Sequence, residues 1–265
     1  MIPQVIHALW NTGWDSAPAL VTQTRASWQR HAPNFTVNAL EADGLAHHLA
    51  ELGLGDRKIP VQAASDILRT KLLYEQGGLW LDATCLLVAP LEDWLPQKVA
   101  PSGFFAFAHP GADRLISSWC LAAEPRSEIL GLLLKTLCAY WSRDREIFNG
   151  FSGIARWNIP ARKARAHALR DPLWAVSQAG YAKTRFAPYF FFHYLFEAQI
   201  QQDPASAETW RKTPRVSAVP AHVLGQIAQF GGIHELSESE FGQIRAISPL
   251  HKLNWRLDFP DQIFA

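Results

Sequence analysis

AASDILRTKLLYEQGGLWLDAT, residues 63–84, sets a helix, a glycine pair and a short strand in immediate succession. From Val61 to Gln76 the apolar Ala64, Leu68 and Leu72 recur at i+4 with Ile67 and Tyr74 beside them, the period of an amphipathic helix. The other side carries Gln62, Ser65, Asp66, Arg69 and Thr70, so Asp66 and Arg69, three apart, are neighbours on a polar face. Gly77 and Gly78 end the helix, because glycine enters the left-handed region without a Cβ clash. Leu79-Trp80-Leu81-Asp82 then reads as a strand, with the leucines on one face and Trp80, Asp82 and Thr84 on the other. The tight connection predicts that the helix's polar face meets a strand-end carboxylate.

Alone, an Asp/Arg pair at i,i+3 is usually a solvated face worth about 0.2–0.5 kcal/mol. Joined to a strand-end aspartate it matches the needs of a leaving diphosphate. A carboxylate holds a divalent cation that stabilises developing phosphate charge, a guanidinium fork meets phosphate oxygens, and a second carboxylate accepts from sugar hydroxyls. A single aspartate suffices for Mg²⁺ in principle, since that ion keeps waters and binds substrate phosphates.

Both ends of the chain add to the corner. Ile2 to Trp10, IPQVIHALW, reads as a buried first strand running into the loop Asn11-Thr12-Gly13. Ligands of open α/β sheets bind beyond the carboxyl ends of strands, which places His7, Trp10 and Asn11 where a nucleotide is met. Trp10 is suited to stacking on a base, although core or rim packing explains a tryptophan equally well in a chain with 11 of them. Near the other end, SPLHKL at 248–253 sets His251 and Lys252 side by side after a turn signal.

Taken together, IPQVIHALW, SDILR at 65–69, GGLWLDAT at 77–84 and SPLHKL resemble the capsular polysaccharide synthesis proteins of bacteria. They are also similar to the wider group of glycosyltransferases with a DXD sugar-binding motif, which includes yeast-type alpha-mannosyltransferases and clostridial toxin glucosyltransferase domains. The resemblance implies a GT-A-like α/β fold with a mostly parallel central sheet, helical additions in the C-terminal half, and a Mn²⁺ or Mg²⁺ cofactor. It implies that Asp66, Arg69 and Asp82 carry the chemistry. It implies a donor site of His7, Trp10, Asn11, Ser65, Gly77, Gly78, Trp80, Thr84, His251 and Lys252, with Asp82, Thr84 and His251 as metal ligands. Thr84 stands where the fuller motif has a second aspartate, a form the capsular branch shares.

Composition narrows the remaining classes. At 265 residues and 48% hydrophobic, the chain can bury a large core. A net charge of +1 gives no nucleic-acid signal. No apolar run reaches about 18 residues, and the start lacks a leader-like pattern, so a cytoplasmic protein is expected. Cys85, Cys120 and Cys138 are odd in number and lack metal spacing, as expected of reduced thiols.

Helices are expected over 17–31, 42–52, 113–123 and 127–141, and strands over 35–40 and 103–108. A soft division near residue 110 separates a donor half, 1–110, from an acceptor half, 111–265. Asp113, Ser118, Trp119, Tyr189 and His193 are acceptor-side candidates, while the aromatic run 189–196 reads mainly as core. The basic stretch 156–170 reads as a solvated helix face, with attachment to the cytoplasmic face of an inner membrane as the alternative.

The expected function is transfer of a sugar from a nucleotide sugar, a UDP-sugar, to an oligosaccharide or lipid-linked surface glycan, with retention of anomeric configuration. A non-catalytic nucleotide-sugar or glycan-binding subunit is the rival. A dinucleotide enzyme is disfavoured because no G-x-G-x-x-G follows the first strand.

Overall fold

The computed structural model describes residues 2–148, 170–180 and 186–264. Most of the basic stretch, 156–169, lies outside these residues. The first half alternates strand and helix: β1 (Val5–Leu9), α1 (Ala19–His31), β2 (Thr36–Leu40), α2 (Ala42–Glu51), α3 (Val61–Gln76), β3 (Gly78–Leu81), β4 (Cys85–Leu87) and α4 (Leu91–Val99). A hairpin of β5 (Phe104–Gly111) and β6 (Arg114–Ala123) leads to α5 (Glu128–Trp141) and β7 (Glu146–Phe148). The described remainder holds α6 (Pro172–Val176), β8 (Phe186–Pro188), α7 (Phe191–Gln202), α8 (Pro204–Lys212), α9 (Val219–Gln229), α10 (Glu238–Ala246) and β9 (Leu250–Lys252).

Five strands form the main sheet in the order β2-β1-β3-β6-β5. β1 runs parallel to β2 and β3, whereas β6 is antiparallel to both β3 and β5, so β6 is the reversed strand of a mostly parallel sheet. The α/β architecture and the helical additions after residue 123 are those expected. Residue 110 falls inside β5, and β6 beyond it belongs to the same sheet, so the two halves share one sheet.

The expected helix over 113–123 is instead β6. Ile116 and Leu121 enter the core on one side of the sheet, while Trp119, Cys120 and Ala122 enter the core on the other. A strand buried on both faces loses the alternation of polar and apolar residues, and its near-continuous apolar run is then indistinguishable from a buried helix.

On one face α2, α3, α5 and α7 pack over Trp80, Phe104, Ala106 and Leu121; on the other α1 and α4 cover Leu79, Leu81, Phe105 and Phe107. The aromatic run at 189–196 is largely core, with Phe191, Phe192, Tyr194 and Phe196 buried. A third cluster joins Leu86 of β4 to Leu224, Phe241, Leu253 and Ile263. It anchors the small antiparallel pair β4–β9, in which Cys85 faces Lys252 and Leu86 faces His251. All three cysteines are free thiols. Among the described residues, no helix is long and apolar enough to cross a membrane.

The glycine pair has a packing reason. Gly77 and Gly78 have φ of 69° and 95°, and a Cβ on Gly78 would meet Val5 Cγ1 at 2.5 Å and the Val5 carbonyl at 2.7 Å. A Cβ on Gly77 would meet Pro125 Cδ at 2.7 Å. The sharp reversal lays α3 alongside β3, so residues early in the helix come beside residues late in the strand.

Candidate active site

That reversal brings Ser65, Asp66 and Arg69 of α3 to the carboxyl end of β3, where Asp82 emerges. Arg69 is the hub of the corner. Its side chain is 6% exposed and its Cζ lies 4.9 Å from the centre of the Trp80 ring. Nη1 donates to the Ser118 carbonyl at 2.5 Å and approaches Asp66 Oδ1 at 3.3 Å; Nη2 donates to Ser65 Oγ at 2.9 Å and approaches Asp82 Oδ1 at 3.4 Å. Nε donates to the Ser65 carbonyl at 3.2 Å. A buried guanidinium with its fork satisfied in this way sets the positions of both carboxylates.

Asp82 has a cation on each side. Oδ1 accepts from Trp80 Nε1 at 3.0 Å, and Oδ2 lies 3.9 Å from Lys252 Nζ. Burial drives the carboxyl pKa upward, but Arg69, Lys252 and the Trp80 hydrogen bond oppose it and leave it lowered. Asp66 goes the other way. Burial dominates, Arg69 opposes, the Asp82 charge adds, and its pKa is raised from 3.8 to about 7. Two carboxylates on one arginine thus differ in protonation near neutrality.

The C-terminal strand supplies the third part. Lys252 Nζ donates to Thr84 Oγ1 at 2.6 Å and to the Leu253 carbonyl at 3.3 Å, and the Leu253 N–H donates to the Thr84 carbonyl at 2.9 Å. This corner opens into a cleft of about 1120 Å³. Trp10, Asn11, Ser65, Asp66, Arg69, Trp80, Asp82, Thr84 and Lys252 line it, which brings together nine of the expected site residues.

Four others stand elsewhere. His7 is fully buried: Asn38 Nδ2 donates to its Nδ1, so Nε2 carries the proton and donates to the Gly77 carbonyl at 3.0 Å. Burial lowers its pKa despite that bond. His7 therefore ties β1 to the glycine turn rather than meeting a nucleotide. Gly77 and Gly78 are at the amino end of β3, one strand length from the cleft. His251 points away from Lys252, as successive strand residues must. It is fully buried, its Nε2 pairs with the Arg245 carbonyl at 3.2 Å, and burial lowers its pKa to about 4.

The expected metal set of Asp82, Thr84 and His251 is therefore not assembled. Among the described residues no three His, Cys, Asp or Glu side chains converge on a common point. The Thr84 hydroxyl accepts from Lys252, whose ammonium also flanks Asp82 Oδ2. Asp82, Thr84 and His251 thus do not by themselves build the expected three-ligand site for a divalent cation.

The sequence pattern of the capsular polysaccharide synthesis protein family matches residues 1–152 and 178–263. The chain belongs to that family. Two curated proteins to which it is similar are fungal. An O-glycosyltransferase of Phomopsis amygdali is 27% identical over 137 residues, 44% of this chain and 34% of its own length. The glycosyltransferase afumC of Aspergillus fumigatus is 30% identical over 101 residues, 33% of this chain and 26% of its own. The matched stretch spans about a third or less of these relatives' length. Among solved structures, the UDP-bound glycosyltransferase domain of the YGT toxin aligns over 92% of this chain and 89% of its own, with a TM-score of 0.44 and 10% identity.

In this member of the capsular family, the cleft also contains residues with no distinctive sequence signal. Asn254 and Trp255 directly follow the SPLHKL motif, and Trp255 packs edge-on against Trp10 with ring centres 5.9 Å apart. Ser117, Gln226 and His222 arrive from β6 and α9 and sit in ordinary local contexts. Ser118, Trp119, Tyr189 and His193 line the cleft, whereas Asp113 binds the Tyr194 hydroxyl at 3.0 Å and is not among its walls. Burial with Arg114 and Arg69 nearby lowers the His193 pKa to about 3, and burial with Lys252 and Arg114 nearby lowers that of His222 to about 4.

Proposed function

We propose that this chain is a glycosyltransferase with a GT-A-like fold. It moves a sugar from a nucleotide sugar, a UDP-sugar, onto an oligosaccharide or lipid-linked glycan in assembly of a bacterial surface polysaccharide. The observation that carries this reading is the Asp66–Arg69–Asp82 cluster at the carboxyl end of β3, with Lys252 beside it, at the head of a cleft large enough for a nucleotide sugar. The assignment is supported by membership of the capsular family and by the glycosyltransferase names of the fungal relatives. The UDP on the toxin domain is that protein's own ligand.

In this reading the base lies against Trp10 and Trp255, whose rings meet edge-on at the cleft wall. The diphosphate meets Lys252, the sugar hydroxyls meet Asp66, and Arg69 holds both carboxylates in register. The course proposed is a retaining one, as the resemblance implies; burial lowers the pKa of His193 and His222, so neither is a strong base. The departing diphosphate then takes the acceptor proton. Asp66, raised to about 7, is the candidate base of an inverting course. Membrane contact at the cytoplasmic face fits a lipid-linked acceptor and the basic stretch ahead of Arg170.

A screen of UDP-sugars for hydrolysis by the purified chain tests the donor class, with Asp82→Ala, its fold checked by thermal unfolding, as the comparison. Loss of hydrolysis in the variant supports the reading, and hydrolysis by neither protein favours the rival, a nucleotide-sugar-binding subunit without activity. NMR of the product anomer separates retention from inversion.

A further inference from the structure

We propose that Lys252, locked onto Thr84, takes the place of the divalent cation in binding the nucleoside diphosphate, so that this chain holds its donor without a metal ion. The inference rests on the donor reading above and concerns the same site.

Three observations meet at this point. First, the Thr84 hydroxyl, at the position where the resemblance noted above puts a second aspartate, accepts from Lys252 Nζ at 2.6 Å. Second, Asp82 is already flanked by cations, Arg69 at Oδ1 and Lys252 at Oδ2, at 3.4 Å and 3.9 Å. Third, the ammonium is delivered by main-chain pairing. The register of Cys85 with Lys252 and the bond from the Leu253 N–H to the Thr84 carbonyl fix its stem against the very turn that carries Asp82 and Thr84.

An ammonium has three N–H donors. Thr84 and the Leu253 carbonyl take two, and the side chain keeps 21% of its surface open at the cleft wall. One donor therefore remains for a phosphate oxygen, on a positive charge that also faces Asp82 Oδ2 at 3.9 Å, the point-charge recognition that lysine performs well. Replacing an aspartate by threonine removes one negative charge, and the ammonium supplies the positive charge that a cation would bring. The ammonium thus brings one positive charge beside Asp82 and Thr84.

The test is calorimetric titration of UDP onto the full chain, once in EDTA and once in Mn²⁺, with thermal unfolding of every variant as the check on folding. The wild-type protein is expected to bind UDP in EDTA within about threefold of its affinity in Mn²⁺. Lys252→Gln is expected to lose roughly ten- to hundredfold in EDTA, the loss of one charge-assisted contact. Lys252→Arg keeps the charge and is expected to retain most of the affinity in EDTA. Thr84→Asp combined with Lys252→Gln is expected to bind UDP only with Mn²⁺, and serves should the single glutamine variant fail to fold. Wild-type binding that requires Mn²⁺ overturns the inference and leaves the donor reading standing, as does unchanged EDTA affinity in Lys252→Gln. Absence of UDP binding in both buffers overturns both.

Discussion

β3 is only four residues long, and its two ends are built on opposite principles. At the amino end, Gly77 and Gly78 bring backbone against backbone, with Val5 and Pro125 occupying the space a side chain would need. His7 is spent there on the Gly77 carbonyl. At the carboxyl end, side chains crowd instead: Asp66, Arg69 and Asp82, with Lys252 arriving from the far end of the chain. One end is a packing device that sets an angle; the other is a charge device that the angle makes possible. A motif continuous in sequence is thus divided in space, and the glycines serve the proposed donor site only through geometry.

The sharpest way to break the comparison is Asp82→Asn. It is expected to lower UDP-sugar turnover roughly hundred- to thousandfold, the scale for losing an electrostatic group at a developing charge. The melting temperature should shift by only a few degrees. A melting temperature that collapses along with turnover would make the carboxyl end structural too. Gly78→Ala should do the reverse, costing about 3 kcal/mol or more through a positive-φ backbone and the clash with Val5. Circular dichroism should then record a melting temperature roughly 10 °C lower. Whatever fraction remains folded at low temperature should bind UDP normally.

A third test uses pH. Because Asp66 is raised from 3.8 to about 7, the folded protein binds more protons than the unfolded chain across that window, so stability falls as pH rises through it. Asp66→Asn should flatten this slope and melt several degrees higher than wild type above about pH 7. A parallel decline in the variant would remove Asp66 as the source. Asp82 has the opposite sign: its lowered pKa contributes stability above 3.8 that is lost as pH falls through the folded value. The smallest effect is expected for Trp255→Leu, about 0.5–1.5 kcal/mol of aromatic contact, read as a two- to tenfold loss of UDP affinity. An unchanged affinity would move the base away from the Trp10 edge.

Local pattern served the fold well where each element has one buried face. Helix α3 matches its expected limits of Val61 and Gln76 because its period and its glycine stop agree. Strand β6 was misread because both its faces are buried and its partners, β3 and β5, are known only from tertiary structure. At the site, Asp66, Arg69 and Asp82 were legible because they share one short motif. Histidines gave the least reliable signal. His7 and His251 sit beside the cleft in sequence, yet strand alternation turns His251 inward, and burial makes both structural. Ser117, Gln226 and His222 carry no local mark, since β6 and α9 bring them in from afar.

The bond from Lys252 to Thr84 joins positions 168 residues apart. During synthesis, the sheet strands and Asp82 leave the ribosome long before the ammonium that faces them. A nascent chain halted before β9 would own an acidic turn with its counter-charge still missing, and β4 would present an unpaired edge. On the proposed function, competence for the donor is a late acquisition, and a nucleotide that binds only the completed corner would report that β9 has docked.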